Sequence, residues 1–184
     1  MKKIILTIAL VCVTVFAFGQ KSSILRPRIE IAEVDTEIDG AFSTELEVFY
    51  MNDENPRVYY LSLGHLGVGT DIIQVQFDPV YELFIPLGGS LEEAIAKMQE
   101  IKDFYKAPRK STMELEGCFA IAYPTSEIIP VKVTRRQLIS KVMEFSLPVT
   151  TDQTLVRATH IGKSDFGSLL SSLKFYKKLH PKEK

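Results

Sequence analysis

The chain has 184 residues, with 22 Lys and Arg against 23 Asp and Glu, a formal net charge of −1, 46% hydrophobic residues and two cysteines. That is one domain's length and a globular composition, without repeats or low-complexity tracts, and no basic, aromatic-interleaved stripe suited to nucleic acid is present. The charge is unevenly spread: Lys21 to Glu100 carries 5 basic and 15 acidic residues, and Ile101 to Lys184 carries 15 basic and 8 acidic. Such asymmetry either steers association or cancels where acidic and basic strands lie side by side in one sheet; the second is the expectation here.

Met1-Lys2-Lys3 is a short basic segment, and Ile4 to Phe18 is almost continuously apolar. Ala17 and Gly19 place small residues where a signal peptidase reads, so residues 1–19 are expected to be a cleaved signal peptide with Gln20 as the new terminus. The apolar run is too short to span a bilayer comfortably. Ala9-Leu10-Val11 lacks the small residues expected before a lipidated cysteine at Cys12. The reading is an exported protein, periplasmic or extracellular, with no stable membrane insertion after cleavage. Cys118 is then the single thiol, so no internal disulfide is expected and stability must come from the core. About 165 residues can bury about 70% of their unfolded surface.

Residues 20–28 read as an extended arm, with Pro27 disfavouring helix, and residues 29–180 as a single domain. Ile29, Ile31 and Val34, interleaved with Glu30, Glu33 and Asp35, make a first strand with an acidic solvated face. Asp39-Gly40 is a turn signal. Leu46, Val48 and Tyr50 alternate with Glu45, Glu47 and Phe49 in a second strand, Asn52 to Pro56 turns, and Val58 to Leu63 makes a third. Gly64 to Asp71 contains three glycines, but no lysine follows them and Ile72 to Phe77 reads as another strand. A phosphate cradle needs a helix N-terminus at that point, so the segment is read as a turn. Tyr81 to Ile85 alternates once more.

The clearest helix follows. Ser90 can cap it, Glu93 stands three residues on as in a capping box, and Leu91, Ala94, Ile95, Met98, Ile101, Phe104 and Tyr105 share one face. Ala107-Pro108 ends it. Met113 to Tyr123 alternates again and places Cys118 on a face with Glu114, Glu116, Ala120 and Ala122. Carboxylates near a thiol raise its pKa, which favours a structural cysteine. Gly117 signals a bulge or a close approach. Val131 and Val133 begin a strand ending at Arg135-Arg136, Leu138 to Leu147 forms the next, and Leu155 to Ile161 carries Arg157 and His160. A second helix is expected from Lys163 with Ser164 as cap and Phe166, Leu169, Leu170, Leu173 and Tyr176 on one face. Leu173 to Leu179 also fits a strand. Residues 181–184 form a polar tail.

Together these elements predict an α+β fold: a mostly antiparallel sheet of about seven or eight strands, with two helices packed on it, in a single domain. His65, His160 and His180 are isolated in sequence, so no metal site and no cofactor is expected. The expected function is a non-catalytic binding or accessory module of the cell envelope, engaging another envelope or extracellular protein. Arg135, Arg136, Lys174, Lys177 and Lys178 are its candidate binding residues. The alternatives are a small hydrolase using Cys118 as nucleophile with His160 as base, or a carrier of an apolar small ligand held between sheet and helices.

Overall fold

The computed structural model describes residues 28–38, 42–65, 82–120, 123–137, 140–147 and 158–181. The expected signal segment and arm up to Pro27, the strand expected at Ile72 to Phe77 and Arg157 lie outside them. Among the described residues, eight strands form one open antiparallel sheet: β1 (Arg28–Ile38), β2 (Phe42–Met51), β3 (Tyr59–His65), β4 (Glu82–Gly88), β5 (Thr112–Ala120), β6 (Ile129–Gln137), β7 (Lys141–Ser146) and β8 (Ala158–Gly162). Spatial order follows chain order, so each strand pairs with its neighbours in sequence. Helix α1 (Leu91–Asp103) interrupts the series between β4 and β5, and α2 (Lys163–Leu179) closes it.

The start of α1 follows from two side chains. Ser90 has extended backbone and its Oγ accepts a hydrogen bond from the Glu93 N–H, while Glu93 Oε2 accepts from the Gly89 N–H at 2.6 Å. Glu93 thus reaches one residue further back than in a capping box, but it still supplies an acceptor to a backbone donor at the helix entrance. The far end tightens into a 3₁₀ turn, Phe104–Lys106, and Ala107 before Pro108 is extended. Helix α2 begins differently from expectation. Gly162 is its N-cap with no side-chain bond, and Ser164 already lies inside the helix, its Oγ donating to Asp165 Oδ1 at 3.1 Å. The helix runs unbroken to Leu179, which resolves the helix-or-strand alternative for residues 173–179.

One face of the sheet carries the main core. Leu46 and Val48 of β2, Tyr59, Leu61 and Leu63 of β3, Leu83 and Ile85 of β4, Val131 and Val133 of β6, and Phe145 of β7 all have no exposed surface. Leu91, Ala94, Met98 and Ile101 of α1 and Phe166, Leu169, Leu170 and Leu173 of α2 pack onto this face. Helix α1 rests on β3 and β4, whereas α2 touches β1 and β2 at one end of the sheet and β7 and β8 at the other. The sheet therefore curves around α2. Tyr105 pins the two helices to this arrangement: its hydroxyl donates to the carbonyls of Ile161 and Gly162, and its ring lies beside Phe166.

The opposite face is not wholly solvated. Phe49, Met51, Tyr60, Phe84, Cys118 and Ala120 form a second buried cluster on β2 to β5. Gly117 lets β5 approach its surroundings closely, since a Cβ there would lie 2.6 Å from Val131 Cγ2 and 3.0 Å from the Phe84 carbonyl oxygen. The expected cancellation of charge between acidic and basic strands is only partial. Sequential strand order sets Glu33 opposite Glu47 and Asp35 opposite Glu45, which are like-charge pairs. Opposite charges meet further along, with Glu114 opposite Lys132 and Arg136 bonded to Glu144.

Candidate functional site

Arg28 opens β1 on the outer face of the sheet, the face away from the helices, and lies over the Phe49 ring at 4.0 Å from its centroid. Its guanidinium joins two carboxylates. Nε donates to Glu47 Oε1 at 2.9 Å, and Nη1 and Nη2 both lie 3.3 Å from Glu82 Oε2, which also accepts from Ser62 Oγ at 3.0 Å. Burial pushes the Glu47 carboxyl up to about 7, against the pull of Arg28. Arg28 is shared between two carboxylates, so its charge only partly offsets the loss of water around Glu47. This cluster ties β1 across β2 and β3 to β4. The sequence shows Glu47 and Glu82 as ordinary solvated alternates, and only the register reveals their common partner.

Cys118 lies on the same outer face and is 1% exposed. Burial pushes its thiol pKa up, and the charge of Glu54 adds to that, while a hydrogen bond with the Thr125 backbone opposes it. The carboxylate charge that acts on the thiol is thus that of Glu54 from the β2–β3 turn, which alternation along β5 does not reveal. Tyr60 Oη donates to Glu54 Oε1 at 2.8 Å, and the other carboxylate oxygen is buried without a hydrogen-bond partner among the described residues. Met51, Asp53, Glu54, Tyr60 and Pro124 line a pocket of about 240 Å³ here.

His160 sits on β8, separated from β5 by two strands. At about 4.8 Å per strand the two backbones are about 14 Å apart, so the fold does not bring Cys118 and His160 together. His160 Nε2 instead lies 3.1 Å from Glu144 Oε2, and the same carboxylate accepts from Arg136. Arg136, first of all, with His160 behind it, lowers the Glu144 pKa. Arg135 and Arg136 point to opposite faces and cannot clamp one anion. Arg135 is 4% exposed, with Nε donating to the Tyr105 carbonyl and Nη2 to Gln137, while its buried Nη1 has no partner among the described residues.

On the outer face of β1 and β2, the Glu33, Asp35 and Glu45 carboxylates converge within 4.8 Å of one another. They are the set among the described residues that could hold a metal ion, and all three are exposed, where water competes for any cation. Alternation places Glu33 and Asp35 on one face, but only the β1–β2 register adds Glu45.

No family model, curated protein or solved structure matches this chain.

The remaining candidates lie on α2. Lys177 Nζ is 2.7 Å from Glu92 of α1, and Lys174 donates to the neutral Gln99 amide at 2.9 Å. Lys178 is exposed. Beside these lysines, Phe175 and Leu179 are each 61% exposed. With Ile31 of β1, Ser171, Ser172 and Tyr176 they line an open cleft of about 370 Å³. His180 stacks on Tyr176 at 4.1 Å between ring centroids and closes the helix end. The sequence places Phe175 and Leu179, with Leu173, in the strand alternative for this segment and not among the binding candidates. Their four-residue spacing was visible, yet their exposure depends on how α2 is rotated against the sheet. Among the described residues, no helix is long and apolar enough to cross a membrane.

Proposed function

We propose that this protein is a non-catalytic binding module of the cell envelope, exported by its N-terminal segment and engaging its partner through the carboxyl-terminal half of α2. The observation that carries this reading is the apolar pair Phe175 and Leu179, 61% exposed beside the Ile31 and Tyr176 cleft. Folding leaves a phenylalanine and a leucine in water at adjacent turns, although the same helix buries Phe166, Leu169, Leu170 and Leu173. Contiguous exposed apolar surface rimmed by polar residues is what a recognition site presents. The basic, apolar and small-residue order of residues 1–19 supports export.

The test combines cell fractionation with N-terminal sequencing of the protein and of its Phe175→Ser/Leu179→Ser variant. The expected result is a chain outside the cytoplasm beginning near Gln20, retained on envelope material when unaltered and released in the variant. A full-length cytoplasmic protein, or equal retention of both forms, overturns the reading.

A further inference from the structure

We propose that the exposed end of α2 binds reversibly to an anionic phospholipid surface; this deepens the binding-module reading, on which it rests, by naming the partner class. Phe175 and Leu179 stand one turn apart and so share a bearing, and Lys174 and Lys178 form a parallel stripe about 100° round the helix. The stripe of Phe166, Leu169, Leu170 and Leu173 occupies the opposite side, against the sheet. The water-facing side of this helix end is thus an apolar row beside a cationic row, the distribution with which an interfacial helix meets headgroups and acyl chains together.

The local charges fit such a surface. Lys177 is paired with Glu92, whereas among the described residues Lys174 bonds to the neutral Gln99 amide and to no carboxylate. Of the other exposed carboxylates of α1, Glu93 is turned to the Gly89 N–H at the helix entrance and Glu100 is held by Lys97 at 2.9 Å. The strongest acidic group, Glu33, Asp35 and Glu45 with Glu30, belongs to the outer face of β1 and β2, away from the face that α2 covers. The charge asymmetry therefore turns the helix end, and not the sheet's outer face, toward a negative surface.

The cleft itself favours lipid over an acidic peptide. A peptide requires directional partners along its backbone, and the cleft offers three side-chain hydroxyls, those of Ser171, Ser172 and Tyr176. Ser171 Oγ already donates to the Gly167 carbonyl at 2.8 Å. A fluid surface needs only an apolar insertion point and cations beside it, and both are present.

The test is vesicle flotation of the protein recovered from cells in its processed form. Two vesicle compositions are used: phosphatidylcholine alone, and three parts phosphatidylcholine to one part phosphatidylglycerol. The expected result is co-flotation with the anionic vesicles alone, reversed by high salt as screening requires. Lys174→Gln/Lys178→Gln should weaken binding by about fivefold for each lysine. Phe175→Ser/Leu179→Ser, two exposed positions, should abolish it while circular dichroism stays unchanged. Equal binding to both vesicles, binding unaffected by the Phe175/Leu179 variant, or no flotation overturns the inference. So does a concentration-dependent dimer that this variant dissolves without any vesicle binding, which would make a second copy the occupant. Failure of flotation for a protein that is exported and retained on envelope material removes the lipid partner and leaves the module reading standing; a cytoplasmic, unretained protein removes both.

Discussion

At Glu47, burial and ion pairing act in opposite directions, and burial prevails. Its folded pKa of about 7 stands above the ordinary 4.5, so the folded state holds an extra proton between those values. The resulting contribution to stability is full below the ordinary carboxyl value and is lost as pH rises through about 7. Glu47→Gln keeps a hydrogen-bonding group for Arg28 without the buried charge. It should stabilise the protein by about 1 kcal/mol at about pH 8 and flatten the decline in stability from about pH 5 upward. Urea unfolding at both pH values checks this, and an unaltered slope would show that Arg28 fully compensates the carboxylate. Glu144 works with the opposite sign: Arg136 and His160 lower its pKa, so its contribution is present above the ordinary carboxyl range and lost on acidification. Cys118 makes a second prediction at this scale. Its buried thiol, with its pKa raised, should resist alkylation at neutral pH and react stoichiometrically only in denaturant. Rapid native labelling would contradict the packing around Phe84 and Ala120.

The elements are held by short-range devices that can be removed one at a time. Ser90→Ala deletes the side-chain acceptor at the entrance to α1 and should cost about 1 kcal/mol, read as a lowered urea midpoint with unchanged slope. Gly88→Ala should cost more, because Gly88 has φ +123 and a Cβ there would stand 2.6 Å from Glu93 Cβ. That substitution strains the backbone and displaces the carboxylate that holds the Gly89 N–H. If Ser90→Ala proved the worse of the two, the turn before α1 would be softer than its geometry implies. At α2 the N-cap is a glycine, and the helix depends chiefly on its buried stripe.

For the whole molecule, that stripe is the closing element. Helix α2 meets both ends of a sheet whose strands otherwise pair only with their sequence neighbours. Leu170, 1% exposed, lies in the middle of it. Leu170→Ala should cost about 2–5 kcal/mol through lost transfer energy and a residual cavity. Because one continuous core includes both helices and all eight strands, the loss should appear as a single cooperative transition at lower urea. Separate melting of the β1–β2 and β7–β8 ends would show instead that the sheet holds without α2.

The periodicities of 29–34, 46–50, 58–63 and 131–133, the Ser90 cap and the α1 stripe were legible because each depends on residues only a few positions apart. The same local logic supplied the α+β class and the antiparallel sheet with two helices. What the sequence could not determine rests on partners distant in the chain. Arg28 with Glu47 and Glu82 requires two registers, and the burial of Phe49 and Phe84 requires something to cover a face that alternation leaves to water. Cys118 and His160 both fall on strands, yet strand order alone separates them. Alternation specifies which side of a strand a residue occupies. Only tertiary structure decides which strand stands next to it and what covers that side, and for Phe175 and Leu179 it decided that their side faces solvent.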